Sequence, residues 1–224
     1  MANARDVSKT LAARGPEMGG NVLRQLLETA INGMGVVPGA KATAANHLVK
    51  RNGVEDALDA LVRTHVGLAT AQGVVTNIGG LATLAVALPT NIAGVAVLQI
   101  RLVAAIAHLR GYDIDSPSVR TALTLCLMGA EGTQRLMDAD VLPASPLVIA
   151  TAPVFDASLD QVVCEKVFAE LASRIGGRHA AVLIARRIPL IGGGVGGTLD
   201  AFSTLAVGTY AREQFVNRRR ITQS

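Results

Sequence analysis

Between Val66 and Ile100 the chain carries no aspartate, glutamate, lysine or arginine. So much apolar surface is not left in water, so the stretch has to sit in a protein core or against lipid. It is not one straight helix. Gly79-Gly80 and Pro89 interrupt it, and proline both removes a helical hydrogen bond and clashes with the preceding turn. The rest of the chain is of similar character. Hydrophobic residues make up 50% of it, yet aromatics only 3%, and tryptophan is absent. The apolar content is therefore alanine, valine, leucine and isoleucine, which suits closely packed helices. Charged residues at 17% fall below the roughly 25% of an ordinary soluble domain. A mean hydropathy of +0.40 places the chain between a cytosolic and a membrane protein.

The 224 residues fit a single domain with a real core. Residues 1–20 read as a flexible polar N-terminus, 21–217 as one helical domain with an internal proline-rich linker at 138–155, and 218–224 as a basic tail. Apolar spacing of three and four runs from Asn21 to Met34, and the stretch from Gly35 to Gly39, with Pro38 inside it, breaks it. A second helix is expected from about Lys41 to Lys50. Asn52 and Glu55 have the spacing of a capping box and open a third. Arg101 to Arg110 continues helically and stops at Gly111, a helix C-terminal signal. Ser116 and Pro117 stand as N-cap and first residue of the next helix, expected to reach Met137. Pro143, Pro146 and Pro153 mark the linker. A helix from Ala157 to Ile175 is expected to break at Gly176-Gly177, followed by a short basic helix to Arg187, and Pro189 opens a last, glycine-rich segment. No alternation of period two persists long enough for a sheet. The expected fold is all-α, a compact multi-helix bundle with two glycine-rich apolar helical hairpins.

The last segment matches the pattern G-x-G-x-x-G at Gly192, Gly194 and Gly197. A dinucleotide fingerprint needs a strand before the glycines, a helix after them and a second strand carrying an acid about 20 residues on. Beyond Gly197 the chain reads as one helix with basic residues at its end, and the position of the acid holds Asn217. A P-loop fails too, because no Lys-Ser or Lys-Thr follows the glycines. Two other readings stand. Gly192 with Gly196, and Gly193 with Gly197, are four apart and on a helix would line a face without side chains, where a second backbone can approach. Alternatively the glycines form a loop between helices. "GVVTNIGGLATLAVALP" and "PLIGGGVGGTLDAFSTLAVG" echo one another and could pack as matched hairpins.

These two segments, with "HLRGYDIDSP" between them, resemble the EcsC protein family. Three blocks carry the resemblance in order: Gly79, Gly80 and Pro89 followed by Arg101; the turn Gly111-Tyr112-Asp113; and Pro189, Gly192, Gly193, Gly196 and Gly197 with Asp200, followed by "YAREQF". It spans about Leu26 to Phe215. One departure is Ala87 before Leu88-Pro89, where the family often has an acid. The resemblance implies a bacterial, membrane-linked setting and supplies no settled activity and no catalytic residue.

The formal charge is +4 and the pI near 9.5. The basic residues are scattered apart from Arg218, Arg219 and Arg220, and base-stacking aromatics are nearly absent, which argues against nucleic acid as a partner. Mild basicity suits the anionic inner face of a membrane. Arg51 and Arg63 precede the first apolar segment and Arg101 and Arg110 follow it. Arg186 and Arg187 precede the second, and Arg212 and Arg218–Arg220 follow. Basic flanks at both ends suit a hairpin that enters and returns, or one buried in the core, better than a crossing. Arms of about 12–16 residues reach roughly 18–24 Å, short of a ~30 Å hydrocarbon layer. Arg186, Arg187, Arg218, Arg219 and Arg220 are the candidate membrane contacts. The N-terminal stretch lacks an apolar h-region, and Cys126 and Cys164 read as buried reduced thiols, so a cytoplasmic location at the inner face of the cell membrane is expected.

Catalytic signals are thin. His47, His65, His108 and His179 are dispersed and match no metal-binding spacing; no metal or cofactor is expected. His108 is explained by the helix C-terminus before Gly111, and Asp113 and Asp115 by turn and cap chemistry. Asp200, an acid in an apolar helix, needs a partner, with Arg101 or Arg187 as candidates for a structural salt bridge; otherwise it marks a polar ligand site. Ser203 and Thr204 add little. The expected function is non-enzymatic docking to membrane lipid or a membrane protein. The alternatives are a soluble protein enclosing an apolar or lipid ligand and, third, a hydrolase-like enzyme using Asp200 and a nearby hydroxyl.

Overall fold

The computed structural model describes residues 19–35, 37–70, 90–185 and 195–218. Among these, nine helices carry the architecture: α1 over residues 19–32, α2 Ala40–Val49, α3 Val54–Thr70, α4 Thr90–Leu109, α5 Pro117–Cys126, α6 Gly129–Asp138, α7 Pro146–Ala150, α8 Ala157–Ala185 and α9 Val195–Gln214. The fold is all-α, as the spacing of apolar residues predicts.

The helices form two tiers. In the first, α4 packs against α2, α3 and α9, and α3 against α9. From Ala93 to Ala107 nearly every side chain of α4 is buried. A helix apolar on all sides has to be the centre of its bundle, and the charge-poor sequence around Ile100 is the reason α4 takes that place. In the second tier α5 packs against α7 and α8. α1 belongs here: it buries Leu23, Leu26, Leu27, Ala30 and Ile31, the one-sided spacing of a helix lying on a core. Its Arg24 pairs with Asp160 of α8 at 2.9 Å, and its Glu28 pairs with Arg120 of α5.

Several local readings of the sequence change. The break after α1 is a two-residue antiparallel pair, β1 Gly33–Met34 with β2 Val37–Pro38. It brings Gly39 so close to α1 that a Cβ there would lie 2.3 Å from the Ile31 carbonyl oxygen. Gly53, not Asn52, caps α3, since the Ala57 N–H donates to the Gly53 carbonyl at 3.1 Å. Glu55 is thereby freed from a capping box and pairs across the bundle with Arg110. The helix expected to reach Met137 is two, because the chain after Cys126 turns through Gly129 at φ +71°. Gly176 and Gly177 do not end a helix: α8 runs through them, because a helical glycine costs only about 1 kcal/mol and forbids nothing. The proline-rich stretch 138–155 carries α7, whose Pro146, Ile149 and Ala150 are buried. Among the described residues no helix is long and apolar enough to cross a membrane.

Candidate functional site

The register of α3, α4 and α9 defines two ends of the first tier. Gly208 of α9 lies where a Cβ would meet Leu102 of α4 at 3.1 Å and Val62 of α3 at 3.4 Å, so the missing side chain sets how closely the three helices approach. On one side of this level lies a charged end. Arg110 donates to both oxygens of Glu55, at 2.5 and 3.0 Å, while Arg212 reaches Asp59 at 2.5 Å and Glu55 at 3.5 Å. α4 stops here in a Schellman turn: Gly111 takes φ +88°, and the N–H groups of Gly111 and Tyr112 donate to the carbonyls of His108 and Ala107. The chain leaving α9 closes over that turn. Phe215 meets Tyr112 edge-on at 5.0 Å, Arg218 stacks over the Tyr112 ring, and the Arg218 N–H donates to the Arg110 carbonyl. Asp113 accepts a hydrogen bond from the Asp115 N–H. Lys41, 2.5 Å from Asp115, holds that carboxyl below its usual range, principally by hydrogen bonding. Gly111, Tyr112 and Asp113 thus build a helix stop and the turn after it.

On the other side of Gly208 the tier runs toward the ends from which the glycine-rich segments depart, and His65, Gln99, Arg101, Asp200 and Thr204 are buried there. The Gln99 amide of α4 donates to the hydroxyls of Ser203 at 2.9 Å and Thr204 at 3.2 Å on α9. Asp200 is 1% exposed on the inner side of α9, and Gly196 and Gly197 lie in the first turn of that helix. Arg101 of α4 is 9% exposed, and its Nε has no hydrogen-bond partner. Burial lowers the pKa of the guanidinium, and no salt bridge joins it to a described residue. Arg101 therefore does not form the ion pair with Asp200 that the sequence suggests. His65 of α3 is 1% exposed. Its Nδ1 lies 2.8 Å from the Leu61 carbonyl, and since a carbonyl only accepts, Nδ1 carries the proton. Its Nε2 is buried without a partner. Burial pushes the pKa down to about 4, the charges of Arg101 and His47 push the same way, and the bond to Leu61 opposes them.

Gly79, Gly80, Pro89, Arg186, Arg187, Pro189, Gly192, Gly193, Arg219 and Arg220 lie outside the described residues, as does most of the two glycine-rich segments expected to form hairpins. Arg218, grouped by sequence with the basic ends of the apolar segments, sits at the charged end. The length of α9, some 20 residues or about 30 Å, separates it from Gly196 and Gly197. Sequence reasoning passed over Gln99 and weighed His65 only as a metal ligand. The signal was available for Gln99, a large polar amide in a run with no charges, and His65 stands at the edge of that same run. Elsewhere, burial raises the thiol of Cys126 beyond the usual range and pushes Cys164, beside Asp160, up to about 12, so neither is a nucleophile. Among the described residues no three histidine, cysteine or acidic side chains converge as metal ligands would.

No curated protein and no solved structure matches the chain. The family model of the EcsC protein family matches residues 20–220, which takes in both tiers, the Schellman turn and the buried polar groups. The chain belongs to the EcsC protein family.

Proposed function

We propose that this protein is a non-enzymatic docking module that lies against the inner surface of the cell membrane with the outer face of α9. The carrying observation is a stripe of large apolar side chains on that face. Leu199, Phe202 and Leu205, spaced by three, are exposed, Phe202 to 70%, while Asp200, Thr204, Val207 and Ala211 of the same helix are buried. With only four phenylalanines in the chain, leaving one in water is unfavourable unless another apolar phase receives it. Helices that lie in the membrane interface insert such residues about 5–10 Å and draw on basic neighbours for attraction to anionic lipid. Arg186 and Arg187 precede α9 in sequence and supply that charge. Arg218, at the other end of the helix, contributes less than its place in a triple-arginine run suggests.

Co-sedimentation with vesicles of phosphatidylcholine and phosphatidylglycerol tests this. Binding is expected to fall several-fold in Phe202→Ser/Leu205→Ser, and to weaken with salt and in Arg186→Ala/Arg187→Ala. Equal recovery of the stripe variant and the unaltered protein in the pellet would refute the role of α9.

A further inference from the structure

Arg101 and His65 are two buried groups on adjoining helices that neither packing nor the docking face explains. Arginine stays charged at any pH a protein meets, and a buried charge is strongly unfavourable unless an opposite charge or acceptor joins it. Among the described residues Arg101 has neither. Its Nε is without a partner, and no carboxylate of the described residues contributes to its electrostatics. Asp200, the buried acid of the described residues, belongs by helix register to a level about 9 Å further along the bundle. Residues 71–89 and 186–194 contain no aspartate or glutamate. Leu102 of α4 and Val62 of α3 meet at the same point of α9, Gly208, which by helix register sets His65, one turn past Val62, at nearly the level of Arg101; its Nε2 is a second buried nitrogen without a partner, and the charge of Arg101 reaches it. Buried polar atoms without partners are rare in folded proteins. Two of them, on neighbouring helices and with no acid beside them, suit an oxyanion. Their neighbours on α3 and α4, Leu61, Leu98, Ile100 and Leu102, are buried and aliphatic.

We propose that Arg101 and His65 form a binding site for the oxyanion head, carboxylate or phosphate monoester, of an aliphatic amphiphile. The guanidinium supplies the fixed positive charge and paired N–H donors that such a head matches. His65 supplies the adjustable part. In the free protein its ring is neutral. An anion against Nε2 offsets the burial and the repulsion from Arg101 and His47, so the ring takes a proton from solvent and donates to the ligand through Nε2. The site is independent of the docking reading, since it lies in the interior and needs no membrane.

Histidine ring signals of the full chain, followed by NMR with the His65 resonance identified by its loss in His65→Asn, provide the test. The probes are sodium decanoate, decyl phosphate and inorganic phosphate, all without vesicles and below micelle-forming concentrations. The His65 midpoint, about 4 in the free protein, is expected to rise by a unit or more with either amphiphile. Calorimetry is expected to show at least tenfold weaker binding in Arg101→Met, a substitution that removes an unpartnered buried charge and should fold. Should it not fold, the His65 shift in the unaltered protein still decides. A midpoint unmoved by all three probes overturns the site, as does undiminished binding by a folded Arg101→Met. A response to inorganic phosphate as large as that to decyl phosphate overturns the amphiphile assignment and leaves a free oxyanion as ligand.

Discussion

Lowering the pH from 7 to 5 should remove about 2 kcal/mol of folding stability through His65 alone. The ring titrates at about 4 when folded, against an ordinary 6.5, so between these values the unfolded chain binds the proton more tightly. A group depressed in this way favours the folded state at high pH, and its contribution is lost as the pH falls from 6.5 toward 4. The full window is worth about 3 kcal/mol, at 1.36 kcal/mol per pH unit, and roughly 2 of that is gone by pH 5. The facing groups reinforce this sign, since Arg101 on α4 and His47 on α2 both repel a protonated ring. Asp115 and Asp156, whose partners hold them below the usual carboxyl range, titrate beneath the window. The assay is urea unfolding by far-UV circular dichroism at pH 7 and pH 5, for the unaltered protein and for His65→Asn, whose amide can donate to the Leu61 carbonyl. The variant should lose about 2 kcal/mol less between the two pH values. An equal loss in both proteins would refute a neutral, buried His65.

Other substitutions test the packing that positions the site. Gly208→Val forces branched carbon against Leu102 and Val62 and should lower stability by about 1–3 kcal/mol, read as a shift in urea midpoint. Gly39→Ala places a methyl 2.3 Å from the Ile31 carbonyl and 2.6 Å from the Asn32 backbone carbon. Backbone cannot move aside as a side chain can, so a loss of at least about 2 kcal/mol is expected; a thermal melt unchanged from the unaltered protein would contradict the tight β1–β2 turn. Phe215→Ala empties a fully buried position against Tyr112 and should cost about 3–5 kcal/mol. Cys126 and Cys164 should resist iodoacetamide at pH 8 until urea unfolds the chain, as mass spectrometry of the quenched protein will report.

The sequence carried the helical fold because its apolar spacing and its stops are local signals. Gly111 ends α4, and Ser116-Pro117 opens α5, where the spacing puts them. Signals that depend on what lies across the bundle did not read through. Gly129 turns the chain and Gly176-Gly177 does not, although the pair has the stronger local reason to do so. Glu55 has the spacing of a cap, but its partners are Arg110 and Arg212, far along the chain. The same limit governs the site. Arg101 stood out in the family blocks and invited pairing with Asp200, yet only the register of α3 against α4 sets it beside His65. A lone histidine on an apolar face carries no periodic signal of what it will meet.

Chain order runs against the two tiers. α1 joins α5 and α8 in one, while α9 completes the other with α2, α3 and α4. During synthesis α4 therefore emerges with an unshielded aliphatic flank that stays open until some hundred further residues have been made and α9 can close it. The newborn chain must cross that interval with one flank of its most apolar helix still open, covered on its other sides by α2 and α3 but not yet by α9.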